Sequence, residues 1–189
     1  MTDPELVERA RQQDEGAWAE LVHRHHVTVY RTSFAALLDA TEAEEAAQEA
    51  WMAAWQRLEG FRGDASFKTW VTAIAWRKAL DRRRAVVTWL RRLAPAARDH
   101  NDGSVDVAAL PDTRTGDAQG RLLDREARSR IGRALRGLPR AQRDCLLLAA
   151  GGELTYEEIG AVLGMPVGSV KWRVSEARKR LRVRMEGLK

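Results

Sequence analysis

Cysteine is nearly missing from this sequence, since Cys145 is the one thiol among 189 residues. A single thiol excludes an internal disulfide and is too few for a cysteine-based zinc site. It lies in the apolar run CLLLAA, which predicts a small core residue. The histidines lack a partner set for catalysis or metal binding, and surface histidines are the better interpretation of His23 and His26. We therefore expect no catalytic residue, no metal and no cofactor.

Long hydrophobic runs are missing as well. No apolar stretch approaches the roughly 20 residues that a membrane-spanning helix needs. The start of the chain, MTDPELVERARQQDEG, is acidic and polar, unlike a signal peptide. We expect a cytoplasmic protein without membrane insertion. Alternating strand patterns are confined to short Val-rich runs, while Ala, Leu, Arg, Glu and Gln dominate, so the predicted fold class is all-α.

Charge is distributed in blocks along the chain. Residues 1–60 carry 5 basic and 12 acidic groups, whereas residues 61–98 carry 10 and 2. Residues 99–120 carry 1 and 5, and residues 121–189 carry 16 and 8. Two basic segments separated by an acidic one are typical of two polyanion-binding surfaces, because Lys and Arg clusters displace the counterions of nucleic acid. Solvated helix faces would give the same blocks, so charge alone does not decide.

The helical pattern divides the chain into two small domains. In residues 1–94 it predicts four helices, at about 4–12, 15–37, 42–58 and 66–84. Residues 95–120 contain Pro and Gly, are acidic and lack a helical period, which predicts a flexible linker. Four further helices are predicted in residues 121–189. The third of these begins with Thr155 and Glu158 in a capping-box pattern and ends at Gly164.

The last two predicted helices have the pattern of a helix-turn-helix. Val170, Val174, Ala177 and Leu181 recur at i, i+4, i+7 and i+11, so they lie on one face that must be buried. The Leu-Gly-Met-Pro turn has the length of a helix-turn-helix connection. A generic amphipathic hairpin is the alternative. The cap, the turn length and the basic residues of the last helix together favour DNA binding.

The first basic segment, FRGDASFKTWVTAIAWRKALDRRR, has a different character because aromatic and basic residues alternate along it. Aromatic rings stack on unpaired bases while cations hold the backbone, so this composition suits single-stranded nucleic acid. Some rings will belong to the core instead, since Phe67, Trp70 and Ile74 share a face at helical spacing. We expect Trp70 to be core in part.

Several motifs in register resemble an extracytoplasmic-function (ECF) sigma factor, a small sigma-70 family subunit of bacterial RNA polymerase. They are TEAEEAAQEAWMAAWQRL, the basic segment above, the acidic linker, and LPRAQRDCLLLAAGGELTYEEIGAVLGMPVGSVKWRVSEARKRL. The resemblance spans residues 5–185 and implies a non-enzymatic subunit that binds core RNA polymerase at its clamp coiled coil and flap. It would direct polymerase to promoters and support melting, contacting double-stranded and melted promoter DNA. An anti-sigma factor is a further partner that many relatives have.

The resemblance also implies which residues make these contacts. Domain 1–94 corresponds to region 2 and domain 121–189 to region 4, with 95–120 as linker. The clamp-binding residues would be Glu44, Glu45, Gln48, Glu49 and Trp51. Residues 61–66 would form a loop that captures a flipped base of the minus-ten element. The full minus-ten set is Phe61, Arg62, Asp64, Ser66, Lys68, Trp76, Arg77, Lys78, Arg82, Arg83 and Arg84. The minus-thirty-five set is Thr155, Val167, Ser169, Lys171, Trp172, Arg173, Ser175, Arg178 and Lys179.

The alternative function is a conventional helix-turn-helix transcriptional regulator that is not a polymerase subunit, although it would not need the segment at 61–84. Two residues depart from the family pattern in the last helix. Trp172 lies nearly opposite Val170 and is expected to face DNA or a protein partner. Glu176 is expected to orient Arg173 or Lys179 through a helix-face pair, the alternative being a hydrogen bond from a cytosine amino group.

Overall fold

A computed structural model of the chain describes residues 1–93, 130–135 and 137–186, with side chains described except at 86–93. Within this part of the chain the secondary structure is helical and contains no strand, which confirms the all-α prediction. The α-helices are α1 (Asp3–Arg11), α2 (Glu15–Leu37), α3 (Ala40–Gln56), α4 (Phe67–Leu93), α5 (Arg140–Ala150), α6 (Tyr156–Leu163) and α7 (Val167–Glu186). A 3-10 helix, Leu58–Gly60, follows α3, and residues 130–135 are also helical. The predicted linker at 95–120 lies outside the described residues.

Side-chain caps fix where the helices of the first domain begin. Asp14 accepts a hydrogen bond from Ala17 N at 3.0 Å before α2, and Asp39 accepts one from Glu42 N at 2.9 Å before α3. The hydrogen bond from the Ala17 N–H lowers the pKa of the Asp14 carboxyl, and the hydrogen bond from Arg9 lowers it further. Helix α4 continues to Leu93, beyond the predicted end at about 84, because neither Gly nor Pro interrupts the sequence before Pro95.

The first domain packs α1 to α4 around one apolar core that includes Leu6, Leu21, Val29, Phe67 and Val71. Helix α3 contributes alanines to the core, which lets it lie close to α2 and α4. Trp70 packs at the edge of this core and is half-buried, as expected. No helix in the described part of the chain is long and apolar enough to cross a bilayer.

In the second domain, α5, α6 and α7 pack around a core that contains Cys145, Ile159, Val162, Val170 and Val174. Cys145 is fully buried, which confirms the sequence interpretation. Burial raises the pKa of its thiol, against the opposing effect of the positive charge of Arg173. The thiol is therefore a packing group and is held in its neutral form.

The two domains are packed against each other. Helix α5 contacts α2, and α6 contacts α4. The core of the second domain continues without a break into Ala36, Leu37, Trp76 and Ala79 of the first. Ion pairs join the domains as well: Arg31 with Glu153, Lys68 with Glu158 at 2.7 Å, and Arg83 with Asp144 at 3.9 Å. We call this arrangement the closed arrangement.

Candidate nucleic-acid interface

The helix-turn-helix consists of α6, a short turn and α7. Thr155 caps α6: its hydroxyl accepts from Glu158 N at 3.2 Å, and the Glu158 carboxylate accepts from Thr155 N at 2.8 Å. This reciprocal pair is the predicted capping box. The helix ends at Gly164 with a φ of 67°, in the left-handed region that favours glycine. Local sequence signals therefore determine both ends of α6.

Close backbone contact fixes the angle between α6 and α7. A Cβ atom placed on Gly160 would lie 2.7 Å from the backbone oxygen of Met165, so no other residue fits there without movement. Met165 N in turn donates to Gly160 O at 2.9 Å. The predicted buried face of α7 is confirmed for Val170, Val174 and Ala177, which are at most 1% exposed, while its fourth residue, Leu181, is half-buried at the edge of the core.

The rest of α7 and the start of α6 carry the predicted minus-thirty-five set. Six of its nine residues are exposed: Thr155, Lys171, Trp172, Ser175, Arg178 and Lys179. Val167, Ser169 and Arg173 are half-buried. Trp172 is 61% exposed, as its position opposite the buried face predicts. Helix α7 thus presents a basic, polar surface with one large aromatic ring, which suits contact with a duplex groove and its phosphates.

The expected partner of Glu176 was wrong. Its carboxylate accepts from Arg180 Nε at 3.3 Å, whereas Arg173 donates to the thioether sulfur of Met165 at 2.8 Å. A Glu four residues before an Arg is the favourable orientation for a helix-face pair, which explains the choice of Arg180. Arg173 therefore supports the turn between α6 and α7 rather than extending the exposed basic surface.

In the first domain, residues 61–66 form a loop beside an open cleft of about 600 Å³, with α1 on the other side. Phe61 is half-buried and lies 5.0 Å from Trp70 and 6.0 Å from Phe67, between ring centroids. Residues 62–66, including the predicted contacts Arg62, Asp64 and Ser66, are exposed. Ser66 also caps α4 by accepting from Thr69 N at 3.1 Å. The structure thus brings aromatic, basic and acidic groups around one opening.

Sequence reasoning did not identify the contribution of α1 to this cleft. Arg11 donates from Nε to Leu58 O at 3.3 Å and from a terminal nitrogen to Phe61 O. Its other terminal nitrogen is 3.2 Å from the Glu8 carboxylate. An arginine at the end of an amphipathic helix gives no sequence signal for contacts made 47 to 50 residues away.

The predicted minus-ten residues on α4 differ in their surroundings. Arg77 and Arg84 are exposed and Lys78 is half-buried. Lys68 is held by Glu158 and by the Glu153 carbonyl at 3.2 Å. Arg83 donates to Ala36 O at 3.1 Å and pairs with Asp144. Trp76 is 3% exposed in the core shared with the second domain, so it cannot contact DNA in the closed arrangement.

Arg82 is bound by three carboxylates of α3. Its guanidinium contacts Glu42 at 2.9 Å, Glu49 at 2.5 Å and Glu45. Burial lowers the pKa of Arg82, but these carboxylates outweigh burial and raise it overall. A residue expected to contact DNA therefore joins α4 to the helix expected to contact polymerase.

Comparison with known proteins decides the family. Residues 21–87 match Sigma-70 region 2, and residues 128–181 match Sigma-70 region 4. The ECF RNA polymerase sigma-E factor of Escherichia coli is 30% identical over 186 residues, which cover 95% of this chain and 92% of that protein. The chain belongs to the extracytoplasmic-function sigma factors. As an ECF sigma factor it acts with RNA polymerase in transcription and binds DNA.

Other relatives agree with this assignment. The RNA polymerase sigma-H factor of Pseudomonas aeruginosa is 30% identical over 186 residues, covering 94% of this chain and 90% of that protein. Solved structures support the fold of the sigma factor. CnrH, solved in complex with the cytosolic domain of CnrY, matches with a TM-score of 0.67 at 22% identity, covering 98% of this chain and 97% of that one. RpoE of Bartonella quintana, solved with the anti-sigma factor NepR, matches with a TM-score of 0.66 at 19% identity, covering 89% and 96%.

The expected polymerase-binding surface of this sigma factor lies on α3. Glu44, Glu45 and Gln48 are exposed, and Glu49 is half-buried beside Arg82. Trp51 is half-buried and packs edge-on against Trp18, with ring centroids 5.6 Å apart. The ring of Trp51 therefore supports the domain. Glu44 and Gln48 remain open to a partner, whereas Glu45 and Glu49 are paired with Arg82.

Proposed function

We propose that this sigma factor reads two promoter elements with two separate surfaces, one in each domain. Domain 121–189 reads the minus-thirty-five element as duplex through the exposed face of α7. Domain 1–94 captures an extruded base of the minus-ten element in the cleft at residues 61–66, and basic residues of α4 hold the backbone. Helix α3 binds the polymerase clamp through its carboxylates. Residues 95–120 connect the two domains.

One observation carries this proposal: a single chain combines a helix-turn-helix that has an exposed basic face with an aromatic cleft that has basic residues beside it. A duplex-reading helix alone would suit any DNA-binding regulator. Aromatic rings at an opening suit an unpaired base, which exists after a duplex has been melted. Together they favour a protein that recognises a promoter during strand opening.

The chain would act by binding and orienting its partners, without catalysing a step itself. Core RNA polymerase is a large partner, and an acidic helix face is complementary to a basic surface on it. The cytoplasm is the proposed location, because bacterial promoters and polymerase are there. An anti-sigma factor is a further proposed partner, since RpoE of Bartonella quintana was solved with one.

Run-off transcription with core polymerase tests the function. A promoter library with both elements randomised is transcribed with and without the chain, and the products are sequenced. We expect chain-dependent initiation from a subset of templates that share two short elements. Initiation that never depends on the chain would refute the function. Specific binding of the chain to duplex promoters without polymerase would favour the conventional regulator instead.

A further inference from the structure

Helix α1 lies outside the residues matched to Sigma-70 region 2, which begin at position 21. It nevertheless forms one wall of the cleft beside residues 61–66, which we call the base-capture loop. Asp3, Val7, Glu8 and Arg11 line this wall. The cleft volume of about 600 Å³ lies within the range of small-ligand sites, roughly 300–1,000 Å³. A base that leaves the DNA stack and enters the loop would therefore meet α1 on its other side.

Arg11 joins this wall to the loop. It donates to the carbonyl oxygens of Leu58, at the start of the 3-10 helix, and of Phe61, the first residue of the loop. Glu8 holds the same guanidinium from within α1. A planar guanidinium with five donors can make all of these contacts at once, whereas an ammonium group cannot match that geometry. One side chain thus ties α1 to the backbone that leads into the loop.

The loop needs such an attachment because residues 62–66 are all exposed. Its end is fixed by Ser66, which caps α4 through Thr69 N. Its beginning is fixed by the contact between Arg11 and Phe61 O. Hydrogen bonds from a charged donor are stronger than neutral ones, and a recognition site must hold its groups to within about 0.5 Å. Phe61 is also held by its ring contact with Trp70 and by its N–H, which donates to Leu58 O at 3.1 Å, so loss of Arg11 would remove the contact that ties the start of the loop to α1.

We propose that Arg11 is a positioning residue for promoter recognition: it fixes the start of the base-capture loop, and α1 forms the second wall of the pocket that receives the extruded base. The inference rests on the proposed function, because it requires that residues 61–66 capture a base. It adds to that function a residue that affects base preference from α1. This helix lies outside the residues matched to Sigma-70 region 2 and contains none of the residues predicted to contact DNA.

The test uses holoenzyme and a promoter library with a fixed minus-thirty-five element and a randomised minus-ten element. Arg11→Ala is expected to lower the base preference at one minus-ten position by about tenfold, from the loss of charged hydrogen bonds. Arg11→Lys is expected to lower it less. Arg9→Ala is the matched control: Arg9 lies on the same helix and pairs with Asp14 at 2.5 Å outside the cleft. Phe61→Ala tests the loop itself.

The outcomes separate this inference from the proposed function. If Phe61→Ala removes the preference and neither Arg11 variant changes it, the role of Arg11 is refuted and the loop assignment stands. If none of these variants changes the preference, the loop assignment is refuted as well. A fall in transcription from all templates with unchanged preference would also refute the inference, because α1 would then act through stability alone. Should Arg11→Ala fail to fold in thermal unfolding, Arg11→Lys decides.

Discussion

The turn passes so close to Gly160 that a side chain there would meet its backbone, so replacement of Gly160 tests the packing of the helix-turn-helix. Gly160→Ala would place Cβ 2.7 Å from a backbone oxygen, and a backbone cannot move as cheaply as a side chain. We expect the free energy of unfolding to fall by about 1–3 kcal/mol, as for other overpacked sites. Urea unfolding of the chain measures it.

Gly168→Ala is the matched control for this substitution. Gly168 lies inside α7, and a Cβ there would have no neighbour within 4 Å. Alanine replaces glycine in a helix with a gain of about 0.5–1 kcal/mol, so the control is expected to be neutral or more stable. Equal destabilisation by both substitutions would show that close approach at Gly160 is not the cause.

Trp172 separates recognition from stability. Because its side chain is 61% exposed, Trp172→Ala is expected to change the free energy of unfolding by less than about 0.5 kcal/mol. Its effect on transcription should depend on the minus-thirty-five sequence, measured with a library randomised at that element. Trp76→Ala provides the contrast, since loss of a buried tryptophan costs about 3–5 kcal/mol. An equal loss of activity on every template would contradict a role of Trp172 in recognition.

At single residues, the sequence predicts burial better than it predicts partners. The period of α7 identified Val170, Val174 and Ala177 as core and Trp172 as exposed. It could not determine which neighbour Glu176 pairs with, because several residues on a helix surface lie within reach and tertiary contacts choose among them. Arg173 is directed to Met165, a residue of the turn, and helical spacing contains no information about that contact.

Helix α3 is expected to bind polymerase through polar side chains, some of which also form ion pairs within the first domain. Glu45 and Glu49 bind Arg82, so reversing their charge would also break the contact between α3 and α4. Glu44 and Gln48 are exposed and do not belong to the group of carboxylates, Glu42, Glu45 and Glu49, that binds Arg82. We expect Glu44→Lys and Gln48→Lys to weaken binding to core polymerase by at least about tenfold, because each places a cation against a basic surface.

The measurement is a competition for core polymerase against the unmodified chain. Glu59→Lys is the control, since Glu59 is an exposed carboxylate of the same domain beyond the end of α3. Thermal unfolding should be unchanged in all three variants. If Glu44→Lys and Glu59→Lys bound core polymerase equally well, α3 would not be the contact surface that we propose.

At the level of elements, signals within the chain located most helix boundaries. The capping box at Thr155 and the glycine at 164 were read from sequence, since both act within one turn of helix. The pattern predicts the end of α4 too early, at about residue 84, whereas the helix ends at Leu93: a run of basic residues does not terminate a helix, and no Gly or Pro follows until Pro95. The wall that α1 adds to the cleft was missed, since it depends on how α1 packs against residues about 50 positions later.

For the whole molecule, the closed arrangement has consequences that neither domain shows alone. It buries Trp76 and engages Lys68, both expected at the minus-ten element, while the exposed face of α7 remains accessible. Sequence could not predict the closed arrangement. The helical pattern shows which face of each helix is apolar, but it does not show whether that face packs within its own domain or against the other domain. If Lys68 contacts promoter DNA, the second domain must first move away from α4.

Glu158 is the residue through which this movement can be tested. Glu158→Lys replaces the ion pair with Lys68 by repulsion between two ammonium groups. We expect a larger radius of gyration in small-angle scattering and tighter binding of the free chain to single-stranded minus-ten DNA. Glu157→Lys makes the same charge change one residue away, at an exposed carboxylate that lies 3.8 Å from Lys171 of α7 and not against α4. It should leave the radius of gyration unchanged and raise DNA binding less, by the added charge alone.

Acidification provides an independent test of the same contact. Burial raises the pKa of the Glu158 carboxyl, but hydrogen bonds from Lys68 and Thr155 N–H outweigh it, so the pKa lies below its ordinary value of 4.5. A carboxyl whose pKa is lowered by folding stabilises the folded state above about pH 4.5, here through both the cap of α6 and the pair with Lys68, and this contribution is lost as pH falls through the lowered pKa. Other carboxylates titrate in the same range, so the informative quantity is the difference between the unmodified chain and Glu158→Gln. That difference in free energy of unfolding should be constant at neutral pH and shrink below pH 4.5; a difference independent of pH would show that the ionised carboxylate does not hold the domains together.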